Sequence, residues 1–178
     1  MLKMSRDELM QRLKRLDEDA ALIFETEEHF HLVIVGGGAL ILQEYIARST
    51  HDVDVISVSP ALLSLLETYD INCRVQAYIN NFPYNYEDRI VPLFQGRKND
   101  FFTVSLEDIV IAKLYSTRPA DIADITSDEV LNRLDWPLLD RLATSDNEAK
   151  ASALNDRRYM DFIMNYYEYV GRYRPCET

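Results

Sequence analysis

Residues 31 to 57 constrain this chain more than any other stretch. HLVIVG is a β-branched apolar run that stops at glycine, the pattern of a buried strand. Three consecutive glycines, Gly36, Gly37 and Gly38, follow it. ALILQEYIAR then reads as a helix of about ten residues, and DVDVISV as a second strand. A strand, a glycine turn, a helix and another strand in such quick succession must stack helix on sheet.

The rest of the chain extends this α/β unit and then changes character. Ser5 with Glu8 forms a capping box that opens a helix to roughly residue 25. PALLSLLETYD begins with Pro60 and is helical. CRVQAYI, RIVPLF and FFTVSL are three further strand candidates, and Pro92 pushes RIVPLF to a sheet edge. From residue 105 the reading is helical: LEDIVIAKLYS, SDEVLNRL, WPLLDRLA and a long stretch from about 146 to 170. Ser105 with Asp108, Thr126 with Glu129 and Ser145 with Glu148 cap these helices. The expected fold is a small mixed sheet with flanking helices and a helical C-terminal half. The core with its N-terminal helix covers residues 1–125, and a helical extension packed on it covers residues 126–178.

Composition narrows the function classes. A formal net charge of −11 excludes attraction of nucleic acid over the whole surface, so RNA would have to meet a local basic patch. Arg6, Arg12, Lys14 and Arg15 cluster near one end and Arg157, Arg158, Arg172 and Arg174 near the other, as solvated helix faces or as such a patch. Cys73 and Cys176 with His29, His31 and His51 show no zinc spacing. MLKMSRDELM lacks a signal peptide's apolar stretch, and LVIVGGGALIL is too short to span a membrane. A reduced cytoplasmic setting is expected.

Two constellations carry chemistry. Asp52 and Asp54 alternate with Val53 on a strand, so both carboxylates project to one face, roughly 6.5–7 Å apart. Two ionised carboxylates side by side repel and raise one another's pKa. A hard cation such as Mg²⁺ relieves that cost and brings phosphate oxygens with it. The glycines before them offer backbone amides, and room for a triphosphate to approach. No Gly-Lys-Ser/Thr follows, which excludes a Walker A loop, and the glycines lack the G-x-G-x-x-G spacing of a dinucleotide site. The second constellation is Lys113, out of pattern on the apolar face of Leu106, Ile109, Val110 and Leu114, with Arg118, Asp121 and Asp124 after it. Lys113 either snorkels, pairs with those acids, or points into a cleft. The charged run Tyr86-Glu87-Asp88-Arg89 is a surface loop or the source of a third metal carboxylate.

VGGGAL followed by THDVDV resembles the signature of the nucleotidyltransferase superfamily related to DNA polymerase beta. LEDIVIAKLYSTRPADIADI is similar to segments of nucleotidyltransferase-like proteins from bacterial toxin–antitoxin and abortive-infection operons, of the AbiEii and MenT type. YEDRIVPL is similar to a segment that precedes the lysine helix in a related, poorly characterised family. The resemblance implies Gly37 and Gly38 at the phosphates and Lys113 near the nucleotide; Gly36 and Arg118 are further nucleotide-binding candidates. It implies Asp52 and Asp54 at Mg²⁺ or Mn²⁺, and Asp121 or Asp124 as an orienting acid. Ala120 stands where a basic residue is common, and no third metal carboxylate is evident on a later strand.

The function expected is Mg²⁺-dependent transfer of a nucleoside monophosphate from an NTP to an RNA, such as a tRNA, or to a protein. The setting expected is a toxin–antitoxin pair with a cognate partner and no membrane. The alternative is a catalytically silent fold of the same kind, serving as a binding module or antitoxin. A metal-dependent phosphohydrolase is a third option.

Overall fold

The computed structural model describes residues 3–25, 27, 29–56 and 58–175, apart from the side chains of residues 76 and 77. The chain forms two compact units, Met1–Ala77 with Ile90–Val104, and Tyr78–Arg89 with Ser105–Thr178. The fold is α/β, with one mixed sheet, flanking helices and a helical C-terminal half.

The first unit holds the sheet. Its strands are β1 (Phe30–Val35), β2 (Val53–Ile56), β3 (Ile71–Asn72), β4 (Val91–Gln95) and β5 (Asn99–Thr103), in the order β3-β2-β1-β5-β4. β1 runs antiparallel to β2 and parallel to β5, and β2 runs parallel to β3. β4 is an edge strand, as Pro92 requires, and its register with β5 shifts between Pro92 and Phe94. α1 (Arg6–Ile23) starts at the Ser5–Glu8 capping box and buries Leu9, Leu13 and Leu16, one helical stripe. α2 (Gly36–Leu42) and α3 (Leu63–Thr68) complete the unit.

The sheet core is apolar on its inner positions. Leu32, Ile34, Val53, Val55 and Ile56 are all essentially inaccessible to solvent. Burying side chains of this type stabilises a fold by about 1.5–3 kcal/mol each.

Two expectations in this unit are corrected. The helix after β1 begins at the glycines and ends at Leu42, short of Arg48, because Glu44 adopts a left-handed φ of 61°. The Gln43 side chain then donates to the Thr103 hydroxyl and to the Val104 carbonyl, which ties this end down. CRVQAYI is no strand. Asn72 accepts from the Arg74 amide at 3.0 Å, an Asx turn that diverts the chain into 3₁₀ turns over Arg74–Asn81.

The second unit is built from α4 (Leu106–Leu114), α5 (Pro119–Ile125), α6 (Asp128–Leu131), α7 (Trp136–Thr144), α8 (Ala149–Ser152) and α9 (Asp156–Tyr173). α9 packs Phe162 and Tyr166 inward, and Phe162 stacks on Tyr115 at 4.5 Å between ring centroids. Burial pushes the Tyr115 hydroxyl up to about 12. Asn165 donates to the Leu114 carbonyl at 2.9 Å, and the Tyr169 hydroxyl donates to the Ile125 carbonyl at 2.6 Å.

Here too the caps differ in part. The long helix expected from residue 146 divides into α8 and α9, because Asn155 caps α9 through the Arg158 amide. Ser145 closes α7 instead of opening a helix, and Glu148 accepts from Arg141 at 2.8 Å. Ser127, one residue beyond Thr126, caps α6. Cys73 is a free thiol, while Cys176 lies outside the described residues. Among the described residues no helix is long and apolar enough to cross a membrane.

Candidate functional site

The β1–β2 register determines what meets at the glycine turn. Val35, the last residue of β1, lies opposite Asp54. The chain leaves β1 straight into Gly36, whose φ of 65° is open to glycine at little cost. A β-carbon on Gly36 would sit 3.5 Å from Asp54 Oδ2. One at Gly37 would sit 2.7 Å from Arg48 Nη2, closer than real contacts allow. Gly38 is different: its β-carbon would meet Asp52 O and the Ile34 side chain at an ordinary 3.7 Å.

Asp52 lies one residue before β2, and the burial along Asp52-Val53-Asp54-Val55 alternates between accessible and buried. The two carboxylates therefore lie on the more open side of the strand, and the valines on the core side. The Asp52 amide donates to the Thr50 hydroxyl at 3.4 Å. Asp54 pairs in register with Asn72 on β3, and Asn72 Nδ2 donates to Asp54 Oδ1 at 2.8 Å. The strand beside Asp54 thus contributes an amide and no acid at that position.

This donor set suits Mg²⁺. The carboxylates of Asp52, just before β2, and of Asp54, on it, would leave coordination positions for water and phosphate oxygens, which Mg²⁺ retains. Among the described residues no group of three or more His, Cys, Asp or Glu side chains is arranged to cage a metal.

In the second unit, Lys113 is buried on α4 and donates to Asp121 Oδ1 at 2.5 Å and to Asp124 Oδ2 at 2.9 Å. Both acids share the inner face of α5. Ser116 Oγ donates to Asp121 Oδ2 at 2.7 Å, and Arg118 Nε donates to the same oxygen at 2.6 Å. Burial alone would push the Asp121 carboxyl up. The Lys113 ammonium, with Ser116 and Arg118, outweighs it and holds the carboxyl below the ordinary carboxylate value.

The 3₁₀ turn Tyr86–Arg89 exposes Glu87 and Asp88. Arg89 turns inward from it and grips the buried Asp108 with two nitrogens at 2.7 and 3.0 Å. Burial pushes the Asp108 carboxyl up in spite of Arg89 and Ser105.

Arg48 and Asn72 were not legible as site residues. Arg48 reads as the end of a helix, and Asn72 lies in a short segment with no alternation. Their signal was proximity in number alone: Arg48 precedes Asp52 by one short loop, and Asn72 follows the helix that leaves β2.

Comparison with curated proteins and with solved structures gives no match. The profile of one family, described as "Nucleotidyltransferase of unknown function (DUF6036)", matches residues 11–174. That span takes in the glycine turn, Asp52, Asp54 and the Lys113 helix, so the chain belongs to this family of nucleotidyltransferases.

Proposed function

We propose that the chain transfers a nucleoside monophosphate from an NTP to a hydroxyl of an RNA, such as a tRNA, or of a protein. The carrying observation is the position of Asp54 Oδ2, 3.5 Å from where a β-carbon on Gly36 would lie. It sets a candidate metal carboxylate beside Gly36, where no side chain projects, while Arg48 lies over Gly37 and would share the turn with the phosphates. Asp52 and Asp54 would hold Mg²⁺ or Mn²⁺, and Gly36, Gly37 and Gly38 would admit the phosphates. The bound ion would neutralise charge on the phosphate oxygens.

The acceptor oxygen attacks the α-phosphorus. The bond from that phosphorus to the α–β bridging oxygen breaks, and pyrophosphate leaves with the electron pair. The hydroxyl proton passes to a carboxylate of the Asp pair and on to water. Arg48, over Gly37, supplies a cation for the leaving charge. Lys113, Arg118, Asp121 and Asp124, which the resemblance would assign to the nucleotide, are joined to one another within the second unit. A cytoplasmic toxin–antitoxin pair is the setting the resemblance supports.

Asn72 favours a second reading. An amide beside Asp54 gives the site two acids where three are common, as in a silent fold that binds without turning over. Incubation with each α-labelled NTP, Mg²⁺, total RNA and cell lysate separates these. Label on RNA or protein supports transfer. Labelled monophosphate or diphosphate set free with no acceptor modified indicates hydrolysis. Unchanged NTP supports the silent fold.

A further inference from the structure

In the first unit, α1 and the end of α3 border an open cavity of about 520 Å³ whose charged lining is Lys3, Glu8, Arg12, Arg15 and Asp70. Its volume lies in the range of small-ligand sites. Three cations face two acids there, on a chain of formal net charge −11.

The acids are engaged within the fold. Ser5 donates to Glu8 Oε2 from its amide at 2.7 Å and its hydroxyl at 2.9 Å. Asp70 lies 3.9 Å from Arg12. Arg12 is oriented by its bond to the Tyr69 carbonyl at 2.8 Å, which uses one donor of a five-donor fork. Lys3 and Arg15 are exposed and enter no hydrogen bond or ion pair among the described residues. Tyr69, its hydroxyl fixed by Asp19 at 2.6 Å, sets an aromatic residue among the cations.

Both walls continue into segments joined to the one that carries the Asp pair. Met4, on one wall, bridges to Thr50 through bonds of 2.6 and 3.0 Å, and the Thr50 hydroxyl meets the Asp52 amide. Asp70, on the other wall, precedes β3. Val53 and Asp54 on β2 pair with Ile71 and Asn72 on β3.

We propose that this cavity is the acceptor subsite, and that it takes the phosphodiester backbone of a single-stranded RNA. The word acceptor rests on the transfer reading above. Lys3, Arg12 and Arg15 contact phosphates, and Tyr69 offers a stacking surface, the pairing that single-stranded sites use. A duplex is too wide for a cavity of this volume, and the acidic remainder of the chain gives RNA no general attraction.

The full chain is titrated with a short fluorescent single-stranded RNA by anisotropy at several salt concentrations, beside Lys3→Glu/Arg15→Glu. AMP and Mg²⁺-NTP are titrated by calorimetry, with melting temperature as the folding control. The double variant is expected to bind RNA at least about tenfold more weakly, with a salt slope shallower by about 1–1.5. Its Mg²⁺-NTP binding and melting temperature are expected to stay unchanged. Equal RNA binding by both proteins overturns the proposal, as does a wild type that binds no RNA. AMP binding lost in the variant without any RNA binding makes the cavity a free-nucleotide site and also overturns it. Equal loss of RNA and Mg²⁺-NTP binding assigns the cavity to the NTP and overturns the proposal in the same way. None of these results alters the Asp52 and Asp54 titration, so the two readings fail separately.

Discussion

Asp54 and Asn72 face each other in register on two parallel strands, joined by a hydrogen bond of 2.8 Å from amide to carboxylate. The bond fixes one carboxylate oxygen, while the other approaches Gly36. Asn72 is therefore a positioning residue for Asp54. Asn72→Leu is expected to weaken Mg²⁺-NTP binding roughly tenfold, the loss of a hydrogen bond to a charged group of about 1.5 kcal/mol. Isothermal calorimetry with a thermal melt checks this, and the melt should fall modestly, because the variant also loses the Asx turn to the Arg74 amide.

The three glycines should separate by mechanism. Gly36→Ala forces a left-handed φ on a residue with a β-carbon and should cost about 1–2 kcal/mol of stability. Gly37→Ala should leave the fold intact, because Arg48 is a flexible side chain that can withdraw, but it should weaken NTP binding. Gly38→Ala meets only ordinary contacts and should be the mildest of the three. Chemical denaturation beside nucleotide titration reads both effects.

How much of this was legible in the sequence varies with the kind of contact. The Ser5–Glu8 cap, β1, β2 and the edge position of Pro92 follow from local rules, since each depends on neighbours in the chain. CRVQAYI forms no strand where the Asn72 side chain accepts from the Arg74 amide and turns the chain. Asp52 and Asp54 could be singled out because like charges on a strand are costly. Arg48 and Asn72 could not, because what they touch is fixed by strand register and loop path. Lys113 stood out as a misplaced charge, yet its choice between cleft and acids needed the position of α5.

Asp17 on α1 anchors the turn between β4 and β5. Buried on α1, it accepts from the amides of Arg97, Lys98 and Asn99 at 2.6, 2.9 and 2.7 Å, and from the Asn99 side chain at 3.0 Å. The β4–β5 turn is folded around it, and a β-carbon on Gly96 would overlap its carboxylate at 2.4 Å. Asp17→Ala strands several buried donors and should cost about 2–4 kcal/mol, measured by urea denaturation.

The pH dependence follows from the same carboxylates. Burial pushes Asp17 up, but the three backbone amides and Asn99 prevail and hold it below the ordinary carboxylate value. Asp121 is lowered likewise. Their contribution is fully present above the unfolded-state pKa, near 4, and is lost as pH falls through the depressed folded values. Asp108, raised by burial, acts in the opposite sense: its contribution is present below that pKa and is lost as pH rises through its folded value. Asp17→Asn should flatten the acid limb of the stability–pH curve, read by circular dichroism from pH about 5 downward.

Lys113→Met removes the ammonium that Asp121 and Asp124 share in a buried setting. Breaking such a pair on one side typically costs about 3–5 kcal/mol. Removing the acids as well, in Lys113→Met/Asp121→Asn/Asp124→Asn, should recover part of that loss in a denaturation series.

The most direct measurement is a calorimetric titration of each Mg²⁺-NTP into the wild type and into Asp52→Asn/Asp54→Asn, with metal-free NTP as the companion run. If the Asp pair holds a metal and a triphosphate, at least one Mg²⁺-NTP binds the wild type, the double variant loses about tenfold or more in affinity, and omitting metal does the same. Equal binding by both proteins, or no binding by the wild type, would contradict it.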